Sequence, residues 1–366
     1  MGLYGQIMNL TINPIEALAN SSSLVGFGLT MEGQEGNEIV YDLLLDQAWQ
    51  KSPIDTELYF HDWVTDRYAG GQAMPADLYT AWDILRTTVY NNTNLTASTA
   101  VTKSIFELSP NATGLLNRTG HHATTIQYNP ADLVQAWSYY YNASSAEPSL
   151  WDNPSYRFDL TDLTRQVLAN AFYPLYTTFV AAANASANAT HSPSRAAATG
   201  SQMLSLLSDL DAVLTSSNEP HFSLASWISS ARSWASTGQG AVSGTNESLL
   251  ASTASFYEYN ARNQITLWGP TGQINDYASK QWGGLISSYY VPRWQLFVNS
   301  LINGTTVTSS HGVNAALSKQ LLEFEEQWQT QTWGERLGES YGMTDASELS
   351  TTVASVVAKW PTVFGM

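Results

Sequence analysis

The chain has 366 residues, no Cys, a net charge of −16 from 31 acidic against 15 basic side chains, and 43% hydrophobic composition with 13 Trp, 19 Tyr and 11 Phe. That composition excludes a disordered polymer, and at roughly 150 residues per domain the length suits two domains, or one large domain with an incomplete neighbour. An acidic chain without a Lys/Arg cluster excludes nucleic acid as partner, and no apolar run reaches the ~18 residues of a membrane span.

In chain order, Met1–Leu10 has neither the basic nor the apolar region of a secretory signal, so the chain as it stands carries none. Ser23–Leu29 (SLVGFGL) is too short for a helix and reads as a buried parallel strand, ending in Thr30-Met31-Glu32-Gly33. Such a strand cannot pair with itself and needs a sheet this chain does not contain. Asn37 is the expected N-cap of a helix whose apolar side carries Ile39, Val40, Leu43, Leu44 and Trp49 and which stops before Pro53.

From residue 53 the pattern is helix after helix. Asp55–Tyr68 sets Leu58, Tyr59, Trp63 and Val64 at helical spacing; the next segment starts at Pro75 with Leu78, Trp82 and Leu85; Asn129-Pro130 opens another with Leu133, Val134, Trp137 and Tyr141. Further periodic stretches cover Leu160–Ala183, Met203–Leu214, Leu224–Trp234, Leu249–Asn263, Tyr277–Ile302, Val313–Trp328 and Leu349–Trp360, separated by Ser/Thr/Asn-rich loops. The expected fold class is mainly α, with the composition changing from βα to all-α near residue 53.

Asn-X-Ser/Thr sequons stand at Asn9, Asn20, Asn91, Asn94, Asn111, Asn117, Asn142, Asn184, Asn188, Asn246 and Asn303, against about five expected by chance, and only 13% of residues are charged. Both features point to a glycosylated surface. The six His show no metal-ligand spacing, and neither a phosphate loop nor a G-x-S-x-G elbow occurs, so no metal or cofactor is expected.

Carboxylates remain as the chemistry-bearing class. Glu32 ends the one good strand and precedes Gly33, the position where a (β/α)8 barrel sets catalytic groups, although from position alone an isolated glutamate there is more often a solvated loop residue. Glu35 and Glu38 are weaker candidates, since an acid in the first turn of a helix complements its dipole. Trp268-Gly269-Pro270-Thr271-Gly272 is a turn, so Trp268 rides on irregular backbone, free to stack on a sugar ring or to plug a gap between helices. Tyr289, Tyr290, Trp294 and Phe297 are helix-spaced core aromatics. Arg293 lies in the same apolar stretch and requires a carboxylate that the sequence does not identify.

Leu24–Gly33, continuing through Asn37-Glu38-Ile39-Val40-Tyr41, resembles the segment around the catalytic nucleophile of the α-N-acetylglucosaminidases, glycoside hydrolase family 89. Asn263–Pro270, Asp276-Tyr277-Ala278 and Tyr289–Trp294 resemble a second long motif of that family, with Tyr156–Gln166 matching a block between them. The resemblance implies an extracellular, lysosomal or vacuolar full-length protein that hydrolyses terminal α-linked N-acetylglucosamine with retention of configuration. It implies that residues 1–52 are the last βα part of a (β/α)8 catalytic barrel and residues 53–366 a large all-α C-terminal domain. Glu32 resembles the nucleophile, and Trp268, Ile274 and Tyr277 resemble side chains that the helical domain lends to the sugar pocket. The general acid belongs on an earlier barrel strand outside this chain, so the chain alone is expected to be inactive. Two other readings compete: a non-catalytic helical glycan-binding module, and an (α/α) toroid glycosidase, for which no convincing pair of helical acids is found.

Overall fold

The computed structural model describes residues 2–29, 37–69, 72–93, 102–119, 122–187, 193–237, 247–303, 315–332 and 346–366. Among these, twelve α-helices form: α1 (Ile7–Asn20), α2 (Glu38–Gln47), α3 (Thr56–Ala69), α4 (Ala76–Thr87), α5 (Pro130–Ala146), α6 (Pro154–Ala187), α7 (Pro193–Ser217), α8 (Leu224–Thr237), α9 (Glu247–Gln264), α10 (Val291–Ile302), α11 (Ala315–Thr330) and α12 (Ala346–Lys359). The chain divides into two compact units, one of Met1–Lys103, Arg118–Asn170 and Ala346–Met366, the other of Ser104–Asn117 and Ala171–Asp345. Residues 1–52 therefore share their unit with α3, α4, α5, the first half of α6 and α12.

In the first unit the opening segment is pinned by backbone bonds, Gly2 N to Thr102 O at 3.1 Å and Asn92 N to Gly5 O at 3.0 Å. Gly5 permits that approach, because a Cβ there would lie 3.0 Å from Val40 and 3.2 Å from the Tyr90 backbone. The helix α1, unforeseen in the sequence, buries Ile7, Thr11 and Pro14 at a spacing of four and three along one face. Its internal Pro14 removes one ladder bond and reads in the sequence as a helix breaker.

Ser23–Leu29 is not a strand. Its residues pair with no other segment among the described residues, and Val25 is 99% exposed rather than buried. An apolar run of strand length does not become one without a neighbour to satisfy its backbone groups.

The α2 stripe holds at Ile39 and Leu43, but Trp49 lies beyond the helix end and is 88% exposed. Asn37 stands at the N-cap position without capping; its Oδ1 instead accepts from Tyr4 N at 3.0 Å. In α3 the buried line is Thr56, Phe60, Val64 and Tyr68, an uninterrupted four-residue spacing, with Leu58 exposed on the opposite side. Helices α4 and α5 match expectation: Leu78, Trp82 and Leu85 are buried in one, Leu133 and Trp137 in the other, and Asn129 Oδ1 caps α5 by accepting from Ala131 N at 3.2 Å. Asp159–Ala169 of α6 is buried on every face, so its polar side chains must find partners inside the fold. Thr164 does so by donating to Leu160 O at 2.6 Å and accepting from Trp137 Nε1 at 2.8 Å.

The second unit is centred on Trp294 of α10, whose ring meets Phe172 at 5.0 Å, Phe297 at 5.4 Å and Tyr176 at 5.7 Å between centroids. Helices α8 and α9 form a hairpin fastened by Trp227 Nε1 donating to Ala261 O at 3.0 Å. The continuous helix expected over Tyr277–Ile302 is absent. Residues 277–284 are turns and irregular backbone with a bridge at Gly283, and the helical run starts only at Leu285, widening to a π-turn over Ile286–Tyr290 before α10 begins just ahead of Pro292. Pro292 has no N–H to donate four residues back, so a regular α-ladder through this point is incomplete whatever the apolar spacing.

Candidate functional site

After α9 the chain leaves helical geometry and returns at Asp276, whose N donates to Thr266 O at 2.8 Å, closing a loop over Thr266–Asp276. Trp268 sits near its start with φ +41°, a left-handed conformation that costs a non-glycine residue about 1–3 kcal/mol. Asn263, in the last turn of α9, holds it there. Its carbonyl accepts from Trp268 N at 2.7 Å, its Oδ1 accepts from Gly269 N at 2.9 Å, and its Nδ2 donates to Gly269 O at 2.9 Å and to Gln329 Oε1. Gly269 must be glycine: φ is +144°, and a Cβ would fall 2.0 Å from Gln273 Oε1.

The result is an aromatic corner. The half-buried rings of Trp268 and Tyr277 meet edge to face, 5.6 Å apart at 82°. Ile274, between them in sequence, is 45% exposed. Two rings at right angles offer an apolar face and an apolar wall to a small ring with one apolar side.

The far end of the loop is anchored by charge. Asp276 has φ +60°; its Oδ2 accepts from Ser109 N at 2.7 Å and its Oδ1 from Arg293 Nη1 at 2.9 Å. Arg293 is fully buried and also donates to Glu325 Oε1 at 2.9 Å, to Tyr289 Oη at 3.1 Å and to Glu107 O at 2.9 Å. Burial works against its charge, but Asp276, Tyr289 and Glu325 outweigh it and hold the guanidinium well above its ordinary pKa. Burial raises the Glu325 carboxyl, against the pull of Arg293. The carboxylate partners that Arg293 requires are thus Asp276 and Glu325. Asp276 stands in a stretch already singled out, one residue before Tyr277; Glu325 comes from α11 with nothing local to mark it.

Of the residues picked from sequence, Trp268 and Tyr277 come into ring contact, and Ile274 lies exposed on the loop between them. Glu32 lies outside the described residues, as do Asn94, Asn188 and Asn246. Helix α2, next in the chain, opens with Glu38, whose Oε2 accepts from Arg67 Nη2 at 2.7 Å, and Arg67 grips Asp159 with Nε to Oδ2 at 2.6 Å and Nη2 to Oδ1 at 2.9 Å. Tyr68 adds a third bond to Asp159 at 2.6 Å. Burial pushes the Asp159 carboxyl up to about 6, against the opposing pull of Arg67 and Tyr68. Glu38 therefore pairs with an arginine besides meeting a helix dipole. Asn20, Asn117, Asn142, Asn184 and Asn303 are exposed, Asn9 and Asn111 partly so, and the Asn91 Oδ1 is buried. Among the described residues no helix is long and apolar enough to cross a membrane.

Residues 59–355 match the family model described as the alpha-N-acetylglucosaminidase (NAGLU) C-terminal domain, and residues 1–51 match that of the tim-barrel domain of the same family. The chain is 34% identical over 305 residues to alpha-N-acetylglucosaminidase of Homo sapiens, an overlap of 82% of this chain and 36% of that protein. It is similar in fold to a Clostridium perfringens protein solved in complex with its substrate GlcNAc-alpha-1,4-galactose, with TM-score 0.77, 22% identity, and coverage of 97% of this chain and 37% of the other. A family 89 glycoside hydrolase from Clostridium perfringens in complex with PUGNAc gives TM-score 0.77 at 23% identity, with the same coverage of 97% and 37%. The chain thus spans little more than a third of the length of these relatives. On the match of residues 59–355 and the human identity, this chain belongs to the alpha-N-acetylglucosaminidase family.

Proposed function

We propose that residues 1–52 are the closing part of a (β/α)8 catalytic domain, that residues 53–366 are its all-α companion, and that together they serve a retaining glycoside hydrolase removing terminal α-linked N-acetylglucosamine from glycans. Glu32 is the nucleophile. It attacks the anomeric carbon, and a second carboxylate, about 5–5.5 Å away on a part of the barrel outside this chain, protonates the leaving oxygen and then activates water. Trp268, Ile274 and Tyr277 receive the sugar ring. The observation that carries this reading is the edge-to-face corner of Trp268 and Tyr277, held on a loop whose backbone is bonded into a left-handed conformation, in a chain of this family. Five exposed sequon asparagines suit N-glycans on a protein of the secretory and lysosomal or vacuolar route.

The test is an assay on an aryl α-N-acetylglucosaminide. The chain alone turns nothing over; mixed with a family (β/α)8 fragment carrying the general acid, it does, and Glu32→Ala then lowers the rate by a factor of about 10²–10⁴ or more. Turnover by the isolated chain that depends on Glu32 would place the acid within these residues. Sugar binding that needs Trp268, with no turnover in the mixture, would instead favour the glycan-binding module.

A further inference from the structure

Both rings of the corner ride on or beside left-handed backbone, Trp268 at φ +41° and Asp276, the neighbour of Tyr277, at φ +60°. Such backbone persists only where surrounding groups hold it. On the Asp276 side the holding group is Arg293, through an ion pair that also supports the core. On the Trp268 side the duty falls on Asn263, whose carbonyl accepts from Trp268 N and whose neutral side chain holds the Gly269 backbone that follows.

Asn263 is half-buried, on the last turn of α9, and its amide reads both polar atoms of a single residue, Gly269 N and Gly269 O, at 2.9 Å each. Only an amide can do this. A carboxylate would face the Gly269 carbonyl with like partial charge, and a hydroxyl cannot span donor and acceptor in that arrangement. Gln329 of α11 presents Oε1 to the Asn263 Nδ2, which fixes the amide's orientation so that Oδ1 faces Gly269 N. The neighbouring Trp328 ring lies under Arg262, 4.6 Å from guanidinium carbon to centroid, keeping this end of α11 against α9. The relay therefore runs from α11 through Gln329 and Asn263 to the peptide that aims the Trp268 indole.

We infer that Asn263, oriented by Gln329, is a positioning residue that fixes the Trp268 ring and so determines how well this site receives a pyranose ring. This rests on the reading of Trp268 and Tyr277 as sugar-binding side chains, but its geometric half stands without it. Preorganising the corner spares the ordering cost when sugar binds; without the clamp, the loop must be ordered from sugar-binding free energy.

The test uses the full chain labelled with 5-fluorotryptophan, with Trp268→Phe to assign the Trp268 resonance. Asn263→Ala and Asn263→Asp are expected to shift or broaden that resonance while the other indoles and the melting temperature stay near wild type. Gln329→Leu is expected to do the same more weakly. Titration with N-acetylglucosamine should then show affinity falling about tenfold in Asn263→Ala and nearly vanishing in Trp268→Ala. An unmoved Trp268 resonance in both Asn263 variants overturns the clamp. A moved resonance with unchanged sugar affinity overturns its role in receiving the sugar, and sugar affinity unaffected by Trp268→Ala, or absent from wild type, sinks the reading of the aromatic corner instead.

Discussion

Each unit contains an arginine that holds two carboxylates, and the two arginines are set at different depths. Arg293 has no exposed surface; its Nη1 donates to Asp276, Glu325 and Tyr289 and its Nη2 to a backbone carbonyl, while Nε is buried without a partner. Arg67 keeps 17% of its side chain exposed and pairs with buried Asp159 and with Glu38, itself 43% exposed. The deep network has no solvent to repair a loss; the shallow one does. That difference teaches where each unit places its vulnerability. In the second unit it lies under the aromatic corner, and in the first it lies beside the helix that comes after the Glu32 segment.

Among the charged residues the largest effect is expected from the deep pair. Arg293→Met leaves Asp276 and Glu325 buried without their cation, a loss of about 3–5 kcal/mol for a broken buried pair. Urea unfolding followed by tryptophan fluorescence measures it. Arg67→Met should cost clearly less, since water reaches Glu38. Equal losses from the two variants would erase the distinction between the networks.

How much of this was legible depends on how local the cause is. The lines Leu78, Trp82, Leu85 and Leu133, Trp137 were readable because periodicity alone fixes them once a Pro or an Asn-Pro marks the start. The α3 line was misassigned because Leu58, Tyr59, Trp63 and Val64 fit a helical face as well as Phe60, Val64 and Tyr68 do, and the neighbours that decide between them are remote. Trp268, Ile274 and Tyr277 were reachable through their motif, but Asn263 as a clamp and Glu325 as a partner depend on contacts with α11, far along the chain. Ser23–Leu29 fails for the opposite reason: its sequence suits a strand, and its surroundings supply no ladder.

The shallow network is where pH should act. The folded Asp159 carboxyl lies near 6, above its ordinary value of 3.8, so the folded state takes up a proton before the unfolded chain does. Its contribution is then fully present below the unfolded pKa and is lost as pH rises through about 6. From pH 5 to pH 7 that loss is about 1 kcal/mol. Urea titrations at the two pH values check the sign, and Asp159→Asn should flatten the dependence. Glu325 shifts in the same direction, so the second unit adds to the slope rather than cancelling it. Greater stability at pH 7 than at pH 5 would mean that Arg67 dominates burial at Asp159.

The smallest effect belongs to a residue outside both networks. Trp49 lies past the end of α2 at 88% exposure, and an exposed side chain away from caps, cores and ion pairs changes stability by no more than about 0.5 kcal/mol. Trp49→Ala should leave the urea midpoint of the isolated chain where it was. Trp82, at 5% exposure, sits in the same unit with its Nε1 donating to Tyr68 Oη at 2.9 Å, and Tyr68 in turn bonds Asp159. Trp82→Ala should therefore cost about 3–5 kcal/mol. The contrast separates two tryptophans that the sequence treats alike, one belonging to the Arg67 network and one outside it. If Trp49→Ala proved as costly as Trp82→Ala, the exposed end of α2 would be part of a packed surface, and the first unit would not be held by its arginine network and core alone.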